Sequence, residues 1–286
     1  MSDRPPLMVA QQVVEAALCA GMDSGNMDPS RMKERLMEIA DRITTDTPPK
    51  LRMSYGNGCA REKWFAHNMP DSATPRDRSR LVHAMGDLWE IVAMETLRTS
   101  LPEPWSLIPY YDQAELVNFD GITGHTDGAL AYKGKPYAII DPKFKNFMRS
   151  VMHWTPKPDK GVKQQLGDRR FPKLTWGERN QAANYVWTER EKGHDFLGFM
   201  WICGFRDESA KFHAAWMTAD ELRPWYDESR QTFLDAKKEH PVAPIHLDRD
   251  ATPCRVIFSK KKGTQSIYCN HYHDCISHED QWKISV

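Results

Sequence analysis

Long apolar runs, an excess of either charge, and cysteine are all scarce in this 286-residue chain. The longest apolar run, residues 196–205 (FLGFMWICGF), falls well short of the roughly 20 residues that cross a bilayer as a helix. Gln11, Gln12 and Glu15 interrupt the N-terminal apolar stretch, which speaks against a signal peptide. Lys and Arg number 39, and Asp and Glu also number 39. That balance excludes a uniformly basic surface for nucleic acid, so any such binding must use local charge. Six cysteines do not make a disulfide scaffold, and the expectation is a cytoplasmic protein whose cysteines, where grouped, point to metal. With 16 Gly and 19 Pro, collagen-like and low-complexity classes are excluded as well. No internal repeat is visible, and the length suits one large or two small domains.

What is present reads as an α/β order. Residues 8–21 and 29–44 have helical spacing, with Met32, Leu36, Ile39, Ala40 and Ile43 on one stripe. Residues 44–50 (TTDTPPK) read as a linker, so residues 1–48 are expected to form an N-terminal helical extension. A helix capped at Ser79 runs to about residue 98, with Leu81, Met85, Leu88 and Val92 on one face. From 105 to 145 the texture changes, and residues 123–145 alternate around Lys133-Gly134-Lys135, a β-hairpin signal. Residues 177–193 return to helix, 196–205 and 210–217 read as strands around a turn at 206–209, and 218–239 is a helix with Thr218 as cap and Pro241 beyond it. This order predicts a mixed central sheet flanked by helices.

The hairpin carries the chemistry. Asp127 lies in Gly124-His-Thr-Asp127, and Asp141-Pro142-Lys143 follows fourteen residues later. If the two segments pair, the carboxylates share one end of adjacent strands. They repel, and stay ionised most readily around a cation. Mg²⁺ takes oxygen ligands and is commonly held by one or two carboxylates. Lys143, two residues past Asp141, points to the same face of the strand. Gln181 and Tyr185, four apart, share a helix face, as do Gly86 and Glu90 on the earlier helix, where small residues would permit close packing. Taken singly, each element also has a bland reading: a salt-bridged strand end, an exposed Gln–Tyr row, a packing glycine beside a solvated glutamate.

Together, Gly86-xxx-Glu90, Asp127, Asp141-Pro-Lys143 and Gln181-xxx-Tyr185 resemble the PD-(D/E)XK nuclease superfamily over roughly residues 52–282. The closest branch is the RecB-like one, with AddB-type and CRISPR-associated RecB-like exonucleases. The resemblance implies a restriction-endonuclease-like core over residues 52–286. It also implies a Mg²⁺- or Mn²⁺-dependent deoxyribonuclease, an exonuclease rather than a site-specific endonuclease, working in recombination, repair or phage DNA processing. Asp127, Asp141 and the Pro142 carbonyl would hold the metal with Glu90 in support. Lys143 would orient or activate water, and Gln181 and Tyr185 would position substrate or that lysine. Proline at the middle position departs from the usual apolar residue with an N–H. It loses a ladder donor, which fits an edge or a strand end.

Several members of that branch carry a 4Fe–4S cluster on one cysteine before the core and three after it. The resemblance therefore implies a cluster on Cys59, Cys254, Cys269 and Cys275, the tail from about 240 closing onto Cys59. Ser266 stands where the family often has a cysteine, and a hairpin turning at Lys262-Gly263 would return Cys254 toward Cys269 instead. His271, His273 and His278 leave a mixed Cys/His zinc site open. The remaining reading has the cysteines as small buried residues, which suits Cys203 and Cys19 best.

Residues 143–173 hold nine basic side chains and only two acids, leaving 30 basic and 37 acidic residues elsewhere. Lys145, Arg149, Lys157, Lys160, Lys163, Arg169 and Arg170, interleaved with Trp154 and Phe171, suit single-stranded or frayed DNA. Two rivals remain: a non-catalytic DNA-binding or assembly protein on a nuclease-like fold, and a zinc-bound interaction protein.

Overall fold

The computed structural model describes residues 4–25, 27–44, 53, 60–69, 80–112, 114–118, 121–145, 176–205, 213–238, 256–259 and 264–267. The helices are α1 (Leu7–Ser24), α2 (Pro29–Thr44), α3 (Ala60–Asn68), α4 (Arg80–Ser100), α5 (Trp176–Glu191) and α6 (Ala219–Ala236). The strands are β1 (Trp105–Leu107), β2 (Glu115–Val117), β3 (Thr123–His125), β4 (Gly128–Tyr132), β5 (Lys135–Lys145), β6 (Gly198–Phe205), β7 (His213–Thr218), β8 (Val256–Ser259) and β9 (Thr264–Ile267). Strands β1-β4-β5-β6-β7 form one sheet in that order. Among the described strands only β5 and β6 run parallel, so the sheet is mixed.

Helices cover both faces, as the α/β pattern predicts. On one face α1 and α4 pack Leu18, Ala93 and Leu97 over Leu130, Ile140, Met200 and Ile202. On the other, α5 and α6 pack Ala182, Val186 and Phe233 over Ile139, Phe199 and Trp201. Strand β6 is buried on both faces, which is why it reads as a continuous apolar run rather than as an alternation. No helix among the described residues is long and apolar enough to cross a membrane.

Local chemistry accounts for the ends. Thr218 caps α6 in a reciprocal capping box, its Oγ1 accepting from Glu221 N–H at 3.2 Å while Glu221 accepts from Thr218 N–H at 2.9 Å. Lys133 and Gly134 both have positive φ, 50° and 73°, which is the two-residue turn that matches strand twist. The turn closes on Tyr132↔Lys135.

Three readings change. The buried face of α4 is Trp89, Ala93, Met94 and Leu97, while Met85 and Leu88 are exposed. Trp89 sets that face, because its indole packs over Gly204 and donates to Ile202 O at 3.3 Å. Leu36 of the α2 stripe is exposed too, and α2 meets α4 through Arg31, whose Nε lies 3.2 Å from buried Glu95. Cys19 is exposed, since the buried side of α1 is Leu7, Ala10, Val14, Ala17 and Leu18; Cys203 is buried as expected. Helix α1 lies in the same layer as α4 and packs on β7, with Gln11 accepting from the Trp216 indole at 3.1 Å. Ser79, Pro241 and the turn at 206–209 lie outside the described residues.

Candidate active site

The hairpin is real, but narrower than the alternation suggested. Gly124-His125 belongs to β3, which pairs with β2 in a separate ribbon, and the pairing with β5 begins at Gly128. Near the turn, Ala131 pairs with Pro136; one step further, Leu130 pairs with Ala138. Tyr137 is the extra residue of a β-bulge, and the pairing from there runs to Gly128↔Ile140. The next position outward sets Asp127 opposite Asp141. Without the bulge, Asp127 would oppose Ile140, so one inserted residue brings the two carboxylates face to face.

Asp141 and Lys143 alternate in phase with Ile139 and so point to the α5 side of the sheet. Asp141 is 2 % exposed, and Lys143 Nζ lies 2.7 Å from its Oδ2. Lys143 and Asp141 form a close ion pair, with the Asp127 carboxyl beside them, and among the described residues no other donor reaches the Asp141 oxygens. Asp127 keeps some exposed surface, yet its carboxyl group is densely enclosed by protein. That desolvation, then repulsion from Asp141 and Glu90, pushes it well above the ordinary aspartate value. Burial works against the Lys143 ammonium, but Asp141 and Asp127 outweigh it and hold the lysine above its ordinary range.

Helix α5 completes the cluster. Tyr185 is pushed up to about 12, by burial first and by the charges of Asp127 and Asp141 as well. Gln181 Nε2 donates to the Tyr185 hydroxyl oxygen at 3.3 Å. Gly124 makes room for that ring, because a Cβ there would stand 2.6 Å from Tyr185 Cε1. Glu90 reaches Asp127 electrostatically from α4, and its Oε1 is 3.7 Å from Arg35 Nη2. Among the described residues Gly86 is not a close-approach position, since a Cβ on it would meet none of them within 4 Å. Close approach occurs instead at Gly128 under Met94 and at Gly204 under Trp89.

Pro142 sits on a central strand rather than an edge strand. It lies past the last β4 pair, however, where β5 is bonded only to β6 through Pro142↔Ile202. On that side β5 has reached the end of its ladder, which is where a residue without an N–H is tolerated.

Asp127, Asp141, Lys143, Glu90, Gln181 and Tyr185 are therefore brought to one end of the sheet. Among the described residues, no group of three or more His, Cys, Asp or Glu side chains is gathered tightly enough to hold a metal ion. Mg²⁺ commonly needs only one or two carboxylates, the rest of its shell being water and substrate oxygen. The donor chemistry fits such an ion, because Asp141 offers buried oxygens beside a second carboxylate. Lys145 is placed at the end of β5. Arg149, Lys157, Lys160, Lys163, Arg169 and Arg170 lie outside the described residues, as do Cys59, Cys254, Cys269, Cys275 and the three tail histidines. Strands β8 and β9 do pair antiparallel across the region where a hairpin was expected.

Sequence reading missed two things here. Trp201 faces the same side as Asp141, directly across the parallel β5–β6 ladder, and its buried indole N–H has no acceptor among the described residues. Glu189, at the far end of α5, is 2 % exposed and contacts the Tyr111 hydroxyl, Lys192 Nζ at 2.9 Å and His194 Nδ1 at 2.7 Å. A parallel register is not visible in sequence, and Tyr111 is 78 residues from Glu189. No protein-family model and no curated protein matches this chain.

Proposed function

We propose that this chain is a metal-dependent DNA nuclease of the RecB-like PD-(D/E)XK type, acting on single-stranded or frayed ends. One observation carries the reading. Two carboxylates face each other across the end of a hairpin, one with buried oxygens, and a lysine two residues on shares their face.

In this reading Asp127 and Asp141 hold Mg²⁺ or Mn²⁺, supported by the Pro142 carbonyl and Glu90. When bound, the ion supplies a water acidic enough to attack at neutral pH and offsets charge on the phosphoryl group. Lys143, held above its ordinary range, keeps its proton at neutral pH. It therefore serves as a fixed positive charge and hydrogen-bond donor toward the scissile phosphate, and not as the base. Tyr185, pushed up to about 12, also keeps its proton and donates, with Gln181 fixing the ring's hydroxyl. The basic residues after Lys143 hold the strand, and the four cysteines hold a 4Fe–4S cluster, with zinc as the competing metal.

The test is cleavage of end-labelled single- and double-stranded DNA with Mg²⁺ or Mn²⁺, run alongside Asp141→Ala and Lys143→Ala. Intact DNA, or variants that cut like wild type, would end the reading. A second reading is favoured by the Asp141–Lys143 ion pair, which already neutralises one carboxylate: a DNA-binding protein that does not cut. It predicts DNA retention without cleavage, and indifference to Lys143→Ala. Iron and zinc analysis of anaerobically purified protein separates the cluster from the zinc site.

A further inference from the structure

The buried polar atoms around the site are unevenly satisfied. Asp141 presents two buried carboxylate oxygens whose close polar neighbours are the Lys143 ammonium, 2.7 Å from Oδ2, and the Asp127 carboxyl; no other donor among the described residues reaches them. The Trp201 indole, fully buried, presents an N–H with no acceptor among the described residues. The β5–β6 register makes Asp141 and Trp201 direct neighbours, and the alternation Phe199–Trp201–Cys203 puts the indole on the face of Asp141 and Lys143. Phe199 packs against the Trp201 ring at 4.7 Å and limits where that ring can turn. A buried donor left without a partner is destabilising, so a fold retains one chiefly where an unseen partner satisfies it. The side-chain acceptor that the sheet register sets beside it is the carboxylate of Asp141.

We propose that Trp201 is a positioning residue: its indole N–H bonds the Asp141 carboxylate through one buried water and fixes which oxygen faces outward. A water with two to four polar partners is ordinary in a protein interior. The inward oxygen is then held by Trp201 and the outward one is left for Lys143 and a cation. This inference rests on the nuclease reading for its consequence, but not for the contact itself.

The experiment uses the full chain with ¹⁵N-labelled tryptophan. The Trp201 indole resonance is the one missing from Trp201→Phe, and Trp216→Phe identifies a control indole that donates to Gln11 on the opposite face. The Trp201 resonance is expected to shift in Asp141→Asn and on adding Mg²⁺, while the Trp216 resonance does neither. Trp201→Phe is expected to weaken Mn²⁺ binding about tenfold, in line with other groups that orient a metal ligand, and to lower kcat with KM for DNA within about twofold. Trp216→Phe leaves both unchanged. A Trp201 resonance indifferent to Asp141→Asn overturns the inference, even if the protein cuts DNA as proposed. So does Mn²⁺ binding by Trp201→Phe at wild-type strength. A resonance that follows Asp141→Asn in a protein that neither binds the ion nor cuts upholds the contact and removes the nuclease reading. The Asp141→Asn measurement reads native Trp201, so it stands even where the Phe variant fails to fold, the resonance then being assigned through its sequence neighbours.

Discussion

Glu189 and Asp141 are both buried carboxylates on the α5 side of the molecule, and they are treated in opposite ways. Glu189 is surrounded by donors: the Tyr111 hydroxyl, the Lys192 ammonium and the His194 ring. Burial alone would push it up, but those bonds outweigh burial and hold it below the ordinary glutamate range. Asp141 has the Lys143 ammonium and a second carboxyl, Asp127, as its close polar neighbours, and Asp127 is pushed up rather than down. Glu189 ties α5 to the segment around Tyr111, so its charge is consumed by the fold. The Asp127–Asp141 pair instead sets two carboxyl groups against each other with one lysine between them, an arrangement that costs stability.

The sharpest break in that comparison is functional. Asp141→Ala is expected to lower DNA cleavage by about a hundred- to a thousandfold, the order lost with one transition-state contact, while stability falls less than in Glu189→Ala, because relief of the Asp127 repulsion offsets loss of the Lys143 ion pair. Glu189→Ala should do the reverse. Stripping a buried carboxylate from its donors costs about 3–5 kcal/mol, read by urea unfolding, with activity per folded molecule retained. Gly124→Ala sharpens the comparison from the packing side. The added Cβ collides with the Tyr185 ring, which predicts a loss of about 1–3 kcal/mol by urea unfolding and a displaced Gln181–Tyr185 pair.

The smallest effect is in pH dependence, and there the two carboxylates have opposite signs. The folded-state pKa of Asp127 is raised above the ordinary value of 3.8. Its contribution to stability is therefore whole below that value and is lost as pH rises through the raised pKa. Glu189 is lowered from 4.5, so its contribution is present above 4.5 and is lost as pH falls through the lowered pKa. In cation-free protein, melting temperature against pH should show both slopes. Asp127→Asn is expected to flatten the loss on the alkaline side of the curve, and Glu189→Gln the loss on the acid side. Unchanged slopes would dissolve the contrast.

Legibility in the sequence followed range. The turn at Lys133-Gly134, the capping box at Thr218 and the helix of Gln181 and Tyr185 are local, and they stand where spacing put them. Asp127, Asp141 and Lys143 were readable as candidates, because a hairpin joins them through a short loop. Their register was not, because it depends on a bulge at Tyr137 that no residue type announces. Three-residue strands such as β1, β2 and β3 are too short to display a period. The true buried face of α4 escaped notice because Met85 and Leu88 are apolar yet exposed, whereas Ala93 is small yet central. The Glu189 cluster and Trp201 depend on partners distant in the chain.

The parallel pairing of β5 and β6 has a kinetic side. The hairpin of β4 and β5 closes locally, within microseconds for such elements. It thus brings the two repelling aspartates together before β6 is available to them. Strand β6 arrives only after the crossover of residues 146–197, roughly 50 residues whose closure entropy must be met before any β5–β6 contact forms. On a ribosome the same order holds, since β6 is synthesised last of the three. The repelling end of the hairpin is therefore the older part of the site in each molecule's history, and the floor carrying Trp201 is laid beneath it afterwards.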